Sequence, residues 1–205
     1  MNTVKLSLLV VILLLLAGCI SRSLPEVSYY LLEYSPDSEK EDLRQEEPLS
    51  EAVHIDDTEL PRAFVRRQIV NRLRGSEYRY LRTHLWGDDL SELIPRLIEK
   101  RIRAYGIFSR TSRNFSRRSE GYEIRSRLDR IEFVRWGTTS KALLEMELEL
   151  VDRGTGTVLV RHTARPSEEV PGGEVVDFTA AANGLILREI DSFLRQTVRA
   201  LGVKK

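Results

Sequence analysis

The sequence has almost no cysteine: one in 205 residues. An intramolecular disulfide, a Cys-rich zinc site and an iron–sulfur cluster are thereby excluded. Histidine is nearly as scarce, at three: His54, His84 and His162. None stands at a ligand-like or catalytic spacing, so all three read as packing or surface residues. No G-x-x-x-x-G-K-[ST] loop occurs, so the chain has no phosphate loop of its own. No G-x-S-x-G elbow occurs either. Gly154-Thr155-Gly156 lies between two strand patterns and reads as a hairpin turn. Net charge is also lacking, at +1 from 32 basic and 31 acidic residues, which removes any global argument for nucleic acid. There is no internal repeat.

Long apolar runs are absent apart from the N-terminal one. Lys5 supplies a positive start, Leu8 to Leu16 is unbroken Leu, Val and Ile, and Ala17-Gly18 precede Cys19. A run of this length falls far short of the roughly 20 residues needed to cross a bilayer. The layout is that of a secretory signal. Leu16-Ala17-Gly18-Cys19 resembles the bacterial lipoprotein signal. That resemblance implies removal of residues 1–18 and a diacylglycerol and an N-acyl chain on Cys19, with no other cofactor. Ile20 rather than Asp then implies sorting to the outer membrane, facing the periplasm. Several acyl chains make such an anchor effectively permanent. Residues 19–27 read as the lipidated Cys and a short tether, and 28–203 as one domain.

Charge in this domain is segregated. Residues 19–61 carry three basic and twelve acidic side chains, residues 62–118 fifteen and five, residues 119–205 thirteen and fourteen. The acidic stretch 33–51, with Pro36 and Pro48, has no apolar periodicity and is predicted to be a mobile loop. The basic stretch includes Arg62, Arg66, Arg67, Arg72, Arg74, Arg79 and Arg82, then Arg110, Arg113, Arg117 and Arg118. Three readings of it stay open: neutralisation by acidic residues 33–59, an acidic protein partner, or lipid phosphates.

Pattern places the elements. Strands are predicted at 28–32, 52–55, 67–72 and 78–81, with a turn at Gly75-Ser76. Leu90, Leu93, Ile94, Leu97, Ile98, Ile102 and Tyr105 have helical spacing, with Pro95 tolerated if the helix begins near Ser91 and with Gly106 as its stop. Asp88-Asp89 read as helix cap and first-turn acid rather than as catalytic carboxylates. Tyr122, Ile124, Ser126 and Leu128 alternate on even positions, Ile131 and Phe133 on odd ones, so a β-bulge is predicted near Asp129-Arg130. A turn over residues 137–140 would pair Phe133 with Leu144 and Leu128 with Leu148, leaving Glu145, Glu147 and Glu149 on a solvated or cross-strand-paired face. Phe178, Ala182, Leu185, Ile186, Ile190, Phe193, Leu194 and Leu201 form the stripe of a long helix, with Arg188, Asp191, Arg195 and Arg199 opposite. The fold class is α/β (α+β): a mixed sheet packed by two amphipathic helices.

The order of Cys19, Tyr29-Tyr30-Leu31-Leu32, Val53-His54-Ile55, Leu60-Pro61, Gln68-Ile69-Val70-Asn71-Arg72, Tyr78-x-Tyr80, Trp86-x-x-x-Leu90 and Tyr105-Gly106-Ile107-Phe108 resembles the ABC-type transport auxiliary lipoprotein family, which includes the paraquat-inducible C lipoproteins. The resemblance implies a fold similar to the TolB N-terminal domain. It also implies a non-enzymatic role beside mammalian-cell-entry (MCE) proteins that move lipid between membranes, with permease and ATPase as separate chains. Arg62-Ala63-Phe64 departs from the Tyr-Leu common after the family's Leu-Pro. Self-association into a homo-oligomer stays open. A structural or regulatory adaptor of the envelope, for instance in cell-wall synthesis, is the rival reading.

Overall fold

The computed structural model describes residues 25–113 and 121–202. Cys19, its preceding segment, Arg117 and Arg118 lie outside these. The described chain runs through β1 (Ser28–Tyr30), β2 (Ser50–Ile55), β3 (Gln68–Arg72), β4 (Tyr78–Trp86), α1 (Leu90–Tyr105), β5 (Phe108–Ser112), β6 (Tyr122–Trp136), β7 (Thr139–Asp152), β8 (Thr157–Ala164), β9 (Ser167–Glu169) and α2 (Val175–Gly202).

The sheet is built on the β6–β7 hairpin. Both strands are long and alternate, β6 in two segments separated by one phase slip, so one face can be wholly apolar. Ile124, Leu128, Phe133, Leu144, Met146, Leu148 and Leu150 are all buried. The phase slip is real: the register shifts between Leu128 and Arg130. The turn is tighter than the sequence pattern implies. Trp136 pairs with Thr139, leaving Gly137-Thr138 as a two-residue loop with Gly137 at φ 61°. That positive φ suits a primed hairpin turn. Ile131 therefore faces Leu144 and Leu128 faces Met146, two residues from the expected pairing. A shift of two keeps every side chain on its face, which is why the apolar pattern alone does not reveal it.

β8 and β9 share the outer edge of β7, both antiparallel to it. The other edge of β6 is divided. β2 pairs in parallel with its first residues, β3 in parallel with residues 132–134, and a Glu59–Arg127 bridge lies between. β5 lies outside β2 in parallel, β4 outside β3 antiparallel, and β1 outside β4 in parallel. The result is a mixed nine-stranded sheet whose lower-numbered strands form two branches.

Both helices bury a stripe. Phe178 of α2 stacks on Phe133 at 4.9 Å and meets Trp86 at 6.1 Å. α1 starts at Leu90, so Pro95 sits within it. Proline offers no N–H to the Ser91 carbonyl one turn back. That carbonyl instead accepts the Thr58 backbone N–H at 2.9 Å, which ties the β2–β3 connection to α1. Gly106 closes α1 at φ 64°, with its N–H and that of Ile107 turned back to Arg103 and Ile102, a Schellman cap.

Residues 33–49 differ from the expected mobile loop. They form a strap with two one-turn 3-10 helices over the helical layer, and Leu43 is buried. The Glu33 main chain makes reciprocal bonds with the Asn183 side chain of α2 at 3.0 Å. Asp42 meets Arg195, and the Gln45 and Leu49 N–H groups donate to the Tyr105 and Ile107 carbonyls. Low local periodicity hid this because the strap is held mostly by backbone bonds and single side chains.

Candidate functional site

The histidines serve packing. His54 is buried with Nε2 3.0 Å from Asp56. His84, within β4, has Nδ1 2.8 Å from the Tyr30 hydroxyl. His162 sits between Glu189 and Gln196 of α2. Asp89 is the α1 N-cap residue without a side-chain cap bond, while the Asp88 carboxylate is held by Arg96, whose hydrogen bond lowers its pKa. Glu145, Glu147 and Glu149 are paired across strands with Arg165, Arg127 and Arg161. Among the described residues no group of three or more His, Cys, Asp or Glu is placed to hold a metal ion. A cleft of about 590 Å³ opens beside the β6–β7 turn, but its cation, Arg135, donates to the Gly173 carbonyl and lies over Phe133.

The arginines divide by environment. Arg72 is drawn inward. It donates with two nitrogens to Glu132, which is 1% exposed and also accepts from Arg130 at 2.7 Å. Burial pushes the Glu132 carboxyl up, but the Arg72 and Arg130 hydrogen bonds outweigh it and hold the pKa below the usual range. Arg79 pairs with Glu77 at the surface. Arg67 donates to the Trp86 and Gly87 carbonyls and lies over the Tyr29 ring at 5.6 Å. Arg66 lies over the Tyr80 ring at 5.3 Å. Arg62, Arg74 and Arg82 are exposed, and among the described residues no ion pair engages them.

Neutralisation by residues 33–59 reaches this block at Arg113, which pairs with Asp57, but not at its arginines between 62 and 82 among the described residues. The strap uses Arg44 and Arg195, and Asp57 takes Arg113. Among the described residues, Arg66, Arg67, Arg72, Arg74, Arg79 and Arg82 pair with none of its acids. The structure lays Arg67 on Tyr29 of β1 and Arg66 on Tyr80 of β4, keeps Arg62 exposed on the same loop, and turns Arg72 inward to Glu132.

One charged centre was not anticipated. Arg101 of α1 is 0% exposed, with Nε 3.3 Å from Asp191 and Nη2 2.6 Å from the Ser38 hydroxyl. The Tyr105 hydroxyl donates to Asp191 at 2.8 Å and accepts the Lys40 N–H. Asp191 faces this centre rather than solvent, so its assignment to the open face of α2 is wrong. The signal was present: Arg101 falls three and four residues after Ile98 and Leu97, on the apolar stripe. Burial raises the Asp191 pKa against the pull of Tyr105 and Arg101, and burial likewise pushes the Tyr105 pKa up to about 12. The centre fastens strap, α1 and α2 together. None of its side chains lines the cleft beside the β6–β7 turn.

Comparison with known proteins places this geometry. The model of a family described as "ABC-type transport auxiliary lipoprotein component" matches residues 30–190. A comparison with curated proteins finds no match. Among solved structures, protein XCC0632 from Xanthomonas campestris is similar at a TM-score of 0.70 and 13% identity, covering 86% of this chain and 98% of its own. An uncharacterized protein is similar at a TM-score of 0.66 and 10% identity, covering 84% and 99%. At such identities these likenesses speak to fold alone.

Proposed function

Since the chain belongs to the ABC-type transport auxiliary lipoprotein family, we propose that it is a non-enzymatic, outer-membrane-anchored accessory of an MCE-type system that moves lipid between membranes. The carrying observation is the family match, which spans residues 30–190 and so takes in every strand but the first residues of β1 and most of α2. Its anchor would be acylated Cys19. Its partners would be an MCE-domain protein and separate permease and ATPase chains, consistent with a sequence that contains no phosphate loop. The polar side chains support the non-enzymatic reading: Glu132, Asp191, His84 and His162 are each spent on joining elements.

The test is affinity purification of the lipidated protein from crosslinked membranes, with mass spectrometry of what accompanies it. Recovery of an MCE protein, permease or ATPase is the expected result. Recovery of cell-wall synthases alone would replace this reading with the envelope adaptor. Cys19→Ala is expected to shift the protein out of the outer-membrane fraction and abolish complementation. A variant that still fractionates there and complements fully would remove the anchor from the mechanism.

A further inference from the structure

The exposed apolar side chains are unevenly distributed. Eight large ones are exposed among the described residues, and four of them are Val27, Tyr29, Leu31 and Val65. Val27, Tyr29 and Leu31 alternate along β1 and its flanks, the last two 61% and 54% exposed. Their neighbour Tyr30 points the other way, to His84. Val65, 60% exposed, comes two residues before Arg67, whose guanidinium covers the Tyr29 ring. Arg62 and Arg66 are exposed on the same loop. β1 is also the end of its branch of the sheet, with only β4 beside it.

We propose that this edge is a membrane seat: Tyr29, Leu31 and Val65 enter the headgroup region of a bilayer carrying anionic phospholipid, and Arg62, Arg66 and Arg67 bind its phosphates. The inference rests on the Cys19 anchor of the preceding reading. Six residue steps separate Cys19 from Pro25, at most about 20 Å of extended chain. The seat is therefore on the part of the domain that the anchor holds near the lipid. Tyrosine ring and arginine stem both suit an interface that is apolar below and wet above. Of the acids next to β1 and the end of β4, Asp88 is held by Arg96, and Glu26, Glu33 and Asp89 are exposed. Val158 serves as an internal contrast. It is exposed on β8, which β7, β6, β3 and β4 separate from β1.

The single native cysteine makes the test direct, because acylation consumes its thiol. Leu31→Cys, Val65→Cys and Val158→Cys are each labelled with an environment-sensitive fluorophore in the full lipidated protein. The proteins are placed on vesicles of phosphatidylethanolamine with phosphatidylglycerol, and quenching by brominated lipid is read. Labels at 31 and 65 are expected to shift to the blue and lose most of their emission, and the label at 158 to keep it. Adding Arg62→Glu and Arg66→Glu is expected to restore emission at 31 and 65 without loss of vesicle flotation. Co-flotation with no quenching at 31 and 65 would overturn the seat while leaving the anchor. Loss of flotation would overturn both. A signal that appears only at high protein density, with no lipid quenching, would give the surface to a second copy of the chain and overturn the proposal.

Discussion

Removing either partner of the Arg101–Asp191 pair should destabilise the protein by a few kcal/mol, but with different pH dependence. Both groups are buried, at 0% and 4% exposure. Breaking such a pair from one side costs on the order of 3–5 kcal/mol because a charge is left without its counterpart. The two leftover charges have different escapes. Arginine keeps its proton at any accessible pH. Asp191 can take one up, and its pKa is already raised by burial. In Arg101→Met, protonating Asp191 from an ordinary value near 3.9 costs about 1.4 kcal/mol per pH unit, so the penalty is capped near ~4 kcal/mol at pH 7 and near ~1.5 kcal/mol at pH 5. The sign follows from linkage. A carboxyl raised in the folded state binds more protons there than when unfolded, so its cost is present above the folded pKa and fades as pH falls toward the unfolded one. In Asp191→Leu, the stranded Arg101 has no such relief. The double variant Arg101→Met/Asp191→Leu should recover most of the loss, since apolar replacement of a buried pair is often neutral or better. Urea unfolding of wild type and the three variants at pH 7 and pH 5 decides it. An Arg101→Met deficit that is unchanged between the two pH values would refute the reasoning.

Two further outcomes are expected. Leu148→Asp places a carboxylate on the fully buried face of β7 and should cost on the order of 4 kcal/mol or more; an unchanged melting temperature would refute the inward facing of Leu148. Glu132→Gln removes the charge that gathers Arg72 and Arg130 and should cost roughly 1.5–3 kcal/mol at pH 7. Because the Glu132 pKa is lowered in the fold, its stabilisation is complete above the ordinary carboxylate range and is lost as pH falls through the folded value. The Gln deficit should therefore begin to shrink as pH falls below the ordinary carboxylate range; a deficit of the same size at pH 7 and pH 3 in urea titrations would contradict it.

Elements with strong local periodicity were legible from the sequence. The even-to-odd switch between Leu128 and Ile131 located the β6 bulge, and the Leu90–Tyr105 spacing located α1. What failed was nonlocal or degenerate. Residues 137–140, Gly-Thr-Thr-Ser, suit a turn of two residues or of four, and both choices leave the same faces buried. The parallel contacts of β2 and β3 with β6 leave no local mark, because each short strand could satisfy its apolar face against several neighbours. Asp191 was misplaced because polarity is normally a sign of exposure. Here its partner lies in another helix, 90 residues earlier, and only the anomaly of Arg101 on an apolar stripe pointed to it.

The segregation of charge was visible at once, but its meaning was not. Two adjacent blocks of opposite sign suggest mutual neutralisation, and the fold limits it to contacts such as Arg113 with Asp57 by sending most of the two blocks to different places. The acidic strap leaves β1, crosses both helices and returns to β2 beside β5, where Arg101, Arg195 and backbone donors engage it. The basic block enters the sheet as β3 and β4. There the period of two sorts its arginines: Arg72 falls on the row that meets Glu132, while Arg66 and Arg67 remain on the loop before β3. A sequence can show that arginines are numerous, but which of them keep an unspent charge depends on which strand supplies an acid opposite. That selection leaves Arg67 on Tyr29 and Arg66 on the same loop, next to the exposed apolar residues of β1, so charge and apolar surface meet where the proposed membrane seat needs both.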